Sequence, residues 1–212
     1  MIFLNYIYRF KLKILNKIIN KKYVVKKGIF FGSINANLLL KKLIRKSNFI
    51  FEYGSGSSTL YYHYLKKKFV SVELDADFIK NLSIKKNLLR NIEHFYIGIT
   101  GEFSYPLICS RRKVQKYIQS IDKHLKNLKR IDLILIDGRF RVACCLNLLK
   151  HQDNLIKNNT KVILDDYNNR KHYHIIKKYF YVKKYGRIAL LKPRNKINFH
   201  KNEFNQYLND PR

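Results

Sequence analysis

Six of the 14 acidic residues in this 212-residue chain, Glu52, Glu73, Asp75, Asp137, Asp165 and Asp166, stand at or just past the ends of short apolar segments. Carboxylates so placed can receive ligand hydroxyls, take a proton or hold a hard cation. A chain of formal net charge +30 could easily have omitted them there, so their shared position marks a site better than it fits surface decoration. Beside the first lies EYGSGSST (52–59), where Gly54 and Gly56 are followed by small hydroxyl residues. Two glycines permit a tight turn and close approach of a ligand to the backbone, although a plain turn uses the same residues.

Several ligands can be sorted by spacing. Glu73 follows Gly56 by 17 residues, about the distance at which an acid on a second strand reaches a ribose hydroxyl. Thr59 stands where GxGxxG requires a third glycine, which argues against a nicotinamide cofactor, and no Gly-Lys-Ser/Thr follows to make a phosphate loop. Glu52 inside the motif disfavours a neighbouring pyrophosphate and suits a neutral or cationic ligand.

The elements that must position these groups follow from periodicity. Residues 48–53, 68–73, 91–98, 131–138 and 160–167 read as strands, with 131–138 (IDLILIDG) the clearest buried one. STLYYHYLKK, ADFIKNLSIKKNLL, VQKYIQSIDKHLKNL, RVACCLNLLKHQDNLI and NRKHYHIIKKYF read as helices between or after them, and Ile34, Leu38, Leu39 and Leu43 trace a helical stripe before the first strand. FYVKKYG and RIALLKP form a hairpin around Gly186, and TGEFSYPLICSRRK reads as a loop. Apolar strands alternating with helices imply a parallel sheet covered on both faces, to which the hairpin adds an antiparallel strand. Ligands of such sheets bind at the carboxyl ends of the strands. Residues 1–46 form a helical segment, 47–192 the ligand-binding domain, and 193–212 a polar, partly mobile tail.

Composition bounds the rest. Cys109, Cys144 and Cys145 lack metal-ligand spacing and cannot all pair; they read as buried thiols in a reducing, cytoplasmic setting. The positive charge invites a nucleic-acid reading, but it is spread along the chain, is carried by residues with AT-rich codons, and includes only 12 arginines among 44 basic residues. Residues 1–22 make a basic amphipathic helix too short in uncharged run to span a bilayer. It either packs on its own domain or lies peripherally on an anionic membrane.

EYGSGSST, SVELD, DLILIDGRF and VILDDY, in that order and spacing, resemble the class I S-adenosylmethionine-dependent methyltransferases over roughly residues 45–192. DLILIDGRFRVA and LDDYNNRKHY are similar to a bacterial group acting on small molecules or glycans. The resemblance implies a doubly wound, mostly parallel seven-stranded α/β sheet with an antiparallel last strand, the Rossmann-like methyltransferase fold, and S-adenosylmethionine as cofactor. It places Glu52, Gly54, Gly56 and Ser58 around the methionine end, Glu73 on the ribose and Asp137 beside the transferring methyl. In catechol-type relatives an acid ending the fourth strand and a pair ending the fifth hold magnesium. Asp137, Asp165 and Asp166 occupy those places here, although Arg139 and Arg141 follow at once and could pair with Asp137 instead.

Methyl transfer to a hydroxyl needs positioning and a base. Asp166 is the first candidate base and Asp137 the second. Arg139, Tyr167, Arg170 and Tyr173 are candidates for the acceptor pocket, with packing the alternative for the tyrosines. Phe103, Tyr105 and Pro106 are plausible pocket walls. His172 and His174 read as surface residues. The favoured function is methyl transfer to an oxygen of a small molecule or glycan. An RNA methyltransferase, and a non-catalytic scaffold retaining the fold, are the alternatives.

Overall fold

The computed structural model describes residues 33–82, 89–100, 105–126, 130–194, 197 and 201–212; the amphipathic helix expected over 1–22 and the proposed wall residue Phe103 lie outside them. The chain enters with α1 (Ile34–Lys46), whose first turn is capped by the Ser33 hydroxyl accepting from the Ala36 amide at 3.2 Å. Five strand-and-helix units follow: β1 (Phe49–Tyr53) with α2 (Ser57–Tyr64), β2 (Lys68–Glu73) with α3 (Ala76–Leu82), β3 (Ile92–His94) leading through α4 (Arg111–Ile118) and α5 (Asp122–Lys126), β6 (Leu133–Ile136) with α6 (Arg141–Leu148) and α7 (Gln152–Lys157), and β7 (Lys161–Leu164) with a 3-10 helix over Lys171–Lys178. The hairpin β8 (Phe180–Tyr185) and β9 (Ile188–Pro193) turns through Gly186, which takes a positive φ of 58°.

These strands form one seven-stranded sheet in the order β3-β2-β1-β6-β7-β9-β8. β1 pairs in parallel with β2 and β6, β6 with β7, and β9 enters antiparallel between β7 and β8. The all-apolar strand β6 has a direct cause. Leu133 and Leu135 face a core shared with Ala36, Leu40 and Ile44, while Ile134 and Ile136 face the core of α4 to α7. Both faces are covered, so no position alternates to polar, and each fully buried aliphatic contributes about 1.5–3 kcal/mol.

Three expectations are corrected. In α1 the row facing the sheet is Ala36, Leu40 and Ile44, whereas Ile34 and Leu38 are exposed; the helix presents its i, i+4 row one step round from the stripe read in the sequence. The segment expected as a loop before α4 carries β4 (Gly98–Thr100) and β5 (Pro106–Cys109), a separate two-stranded antiparallel ribbon. It leaves Cys109 exposed, while Cys144 and Cys145 are buried as expected; all three thiols are free. The polar tail holds an eighth helix, α8 (Lys201–Tyr207), anchored by Phe204 and Leu208, both buried against α6 and its neighbours.

Candidate active site

β1 and β6 lie side by side, and the loops leaving them meet. The Gly54 amide continues the ladder past β1, donating to Val72 O at 2.8 Å. Gly54 has φ of +88°, and a Cβ there would lie 2.5 Å from Gly138 Cα and 2.6 Å from Gly138 N. A Cβ on Gly138 would in turn strike the Tyr117 hydroxyl and come within 2.9 Å of Gly54 N. The two loops therefore pack backbone against backbone, and both glycines are required by the protein itself. Gly56 differs. Its backbone is extended at φ of −175°, and no atom of the described chain lies within 4 Å of where a Cβ would stand.

The two glutamates fix this loop from beneath. Glu52 is fully buried and accepts hydrogen bonds from the hydroxyls of Ser58, Thr59 (2.5 Å) and Ser71 (2.7 Å). Thr59 also accepts from the Gly56 amide at 2.7 Å, so the residue standing in place of a third glycine ties the loop to the acid. Glu73 accepts from the amides of Ser55 (2.9 Å), Leu74 (2.7 Å) and Asp75 (3.1 Å). Asp75, at the same strand end, caps α3 by accepting from Phe78 N at 3.0 Å. The Ser58 hydroxyl, expected at the cofactor, is directed inward to Glu52 and the residue is buried.

Burial pushes the Glu52 carboxyl above its ordinary value of 4.5, and the hydrogen bonds from Ser58, Thr59 and Ser71 pull it back only in part. A folded-state pKa above the unfolded one means that ionisation opposes folding. The contribution is complete below pH 4.5 and is lost as pH rises through the higher folded value. Glu52→Gln retains an acceptor and removes this loss, so its melting temperature at pH 8 is expected to equal or exceed that of the wild type, with a flatter dependence between pH 4.5 and 8. Melting curves across that range check it; a variant markedly less stable at pH 8 would show that the hydroxyls require the charge.

At the ends of β6 and β7 the expected carboxylates are brought together, and arginines bind them. Arg141, in the first turn of α6 and almost fully buried, donates to Gly138 O (2.9 Å), Asp137 O (3.0 Å), Asp137 Oδ1 (2.9 Å) and Asp165 O (2.9 Å). Arg187, from the β8–β9 turn, grips Asp165 through two parallel bonds of 2.8 and 2.7 Å. Asp166, in left-handed backbone at φ of 58°, meets Arg170 at 3.1 Å and Arg141 at 3.5 Å. Burial pushes the Asp137 carboxyl well above its ordinary range; Arg141 opposes this and the neighbouring Asp165 adds to it. The Arg141 charge is opposed by burial, but Asp137, Tyr173, Asp165 and Asp166 outweigh that and hold its pKa above the ordinary value.

Around this cluster stand the remaining candidates. Tyr173 is fully buried, with its hydroxyl 3.4 Å from Arg170. Tyr167 is buried with its ring 4.9 Å from that of His174, and packing describes it better than ligand contact. His172 and His174 are half-buried rather than on the surface: His172 lies edge-on to Tyr173 at 4.4 Å, and burial lowers its pKa. Arg139 lies over the Tyr105 ring at 5.5 Å. The tail also reaches the site, since Pro211 O accepts from Phe140 N at 3.2 Å. Arg141, Arg187 and this last segment are the parts that the sequence reading left out.

Among solved structures, a methyltransferase-like protein from Silicibacter pomeroyi superposes with a TM-score of 0.68 at 22% identity, covering 86% of this chain and 98% of that one. The chain has the class I methyltransferase fold. A putative caffeoyl-CoA O-methyltransferase from Staphylococcus aureus (16% identity, 90% and 100% covered) and a putative O-methyltransferase from Klebsiella pneumoniae (13%, 82% and 87%) reach only 0.45 and 0.39, too low to carry an argument. No protein-family model and no curated protein sequence matches. In the methyltransferase fold the strand-end edge holds S-adenosylmethionine, and the residues here fit it: open space over Gly56 beside a fixed Glu73 leaves room that the protein does not fill. Magnesium does not fit in the same way. Both Asp165 oxygens accept from Arg187, and Asp137 and Asp166 are paired with arginines. Among the described residues no three His, Cys, Asp or Glu side chains are grouped to hold a metal ion. No described helix is long and apolar enough to cross a membrane.

Proposed function

We propose that the chain transfers a methyl group from S-adenosylmethionine to a hydroxyl oxygen of a small-molecule or glycan acceptor. The observation that carries this is Gly56. Its backbone needs no glycine and its missing side chain faces no described protein atom, so a ligand is the remaining reason for the absence of a Cβ. Glu73, fixed by three amides at the end of β2, supplies the ribose contact, and the buried Glu52 places negative charge under the methionine end. The cofactor, when bound, supplies an electrophilic methyl group. The protein holds the acceptor oxygen against it and removes a proton. We assign the proton to Asp137 ahead of Asp166, because burial raises Asp137 toward neutrality, where a base works best. Asp166 is held by Arg170 and Arg141 and positions them.

Calorimetric titration with S-adenosylhomocysteine, with NADH as control, tests the reading. Saturable micromolar binding of the first alone is expected. Gly56→Asn keeps a good helix N-cap and fills the open space, so it should melt like the wild type yet lose about 100-fold or more in affinity, roughly 2.7 kcal/mol. Glu73→Ala should lose binding as well. Wild-type affinity in Gly56→Asn would remove the cofactor from this loop.

A further inference from the structure

Resting on that reading, we infer that the acceptor is an anion, a hydroxyl-bearing molecule with a carboxylate or phosphate gripped by Arg139 and Arg170 beside Tyr105 and Tyr173. The arginines of the site divide by task. Arg141 and Arg187 close the strand ends, binding backbone carbonyls and Asp165. Arg139 and Arg170 add further positive charge on the same rim. Arg139 lies 5.5 Å from the Tyr105 ring centre, and Arg170 lies 5.8 Å from that of Tyr173, a ring that Arg141 also approaches at 5.9 Å.

Four guanidiniums, on Arg139, Arg141, Arg170 and Arg187, face three carboxylates, on Asp137, Asp165 and Asp166, a surplus of one positive charge with every acid ionised. Arg212, nearby, is matched within the tail by Asp210 at 2.8 Å. The crowding has a cost. Burial lowers the Arg139 pKa, and the guanidiniums of Arg141 and Arg170 lower it further. Like charges held this close repel, and a bound anion relieves that repulsion. Planar forks beside aromatic rings suit a flat carboxylate or a phosphate, which arginine binds through two parallel hydrogen bonds. The same forks would orient a neighbouring hydroxyl toward Asp137, so the grip doubles as positioning for the transfer.

Ligand-detected NMR titration of the full chain at about 0.15 M salt, where diffuse attraction is screened beyond roughly 8 Å, tests this with two matched pairs of probes. One pair is 4-hydroxybenzoate and neutral 4-hydroxybenzamide; the other is glucose 6-phosphate and glucose. The expected result is at least about tenfold tighter binding of the anion in one pair, roughly 1.4 kcal/mol, which also tells carboxylate from phosphate. Arg139→Gln with Arg170→Gln should abolish the preference, and the matching Lys variant should keep only part of it. Lys183→Gln with Lys192→Gln, on the outer strands, should change nothing. Equal binding within both pairs overturns the inference, as does a preference that survives loss of the two arginines or vanishes with the two lysines. S-adenosylhomocysteine titration of the same wild-type sample separates the two readings. Anion preference without cofactor binding would sink methyl transfer alone, and cofactor binding without anion preference would sink the anionic acceptor alone.

Discussion

Replacing Arg141 with leucine is expected to destabilise the fold by about 3–5 kcal/mol, lowering the melting temperature by roughly 6–20 °C. The side chain is almost fully buried, and it alone joins the β6 end, through Gly138 O and Asp137 O, to the β7 end through Asp165 O. Leucine fills much of the volume but leaves those carbonyls without this donor and removes the positive charge facing Asp137, Asp165 and Asp166. A buried charge that loses its partner costs far more than the pair contributed. Arg141→Lys should fall between, because an ammonium keeps the charge and loses the planar fork that spans two strands. Thermal melts of both variants decide it. A leucine variant as stable as the wild type would mean that Arg187 alone holds the cluster together.

The second large effect is expected at Gly54. An alanine Cβ would sit 2.5–2.8 Å from Gly138 Cα, Gly138 N and Asp137 C, all backbone atoms that cannot rotate aside, at a φ of +88°. Strain at such a φ costs about 1–3 kcal/mol and overpacking a further 1–3 kcal/mol, so Gly54→Ala should lose about 2–6 kcal/mol of stability. Gly138→Ala should behave similarly. The contrast with Gly56, where added volume should disturb a ligand and not the fold, separates two glycines that stand two residues apart. Chemical denaturation of the three variants measures it; equal losses at Gly54 and Gly56 would contradict the packing described.

Much of this fold was legible because its strands are short, apolar and buried on both faces. FIFEY, KFVSVE, LILI and KVIL stand within a residue or two of the segments read in the sequence, and each ends at an acid of the site. What was not legible has physical causes. Arg141 and Arg187 are two among 44 basic residues, and nothing local distinguishes a guanidinium that will be buried by distant strands from one that will remain solvated. The row that α1 buries contains Ala36, which carries little hydropathic signal beside the exposed Ile34 and Leu38. In the tail, the signal was Phe204 and Leu208, one helical turn apart within a polar run. Two apolar residues at i, i+4 are too few to outweigh so polar a composition, yet they are the two that dock it.

The seam between β1 and β6 has a consequence for synthesis and refolding. Ile50 lies opposite Phe69, which follows soon after it, and also opposite Leu133, which arrives only in the second half of the chain. Until then one edge of the most apolar part of the sheet has no partner, and such an edge is a template for pairing with other chains. The site is built across this seam, from Gly54 on one side and Gly138 on the other. Closing so long a loop is slow, so the ligand-binding edge is among the last parts to become native. A fragment stopped short of β6 would carry the whole of EYGSGSST and still present a sticky margin where the binding surface should be.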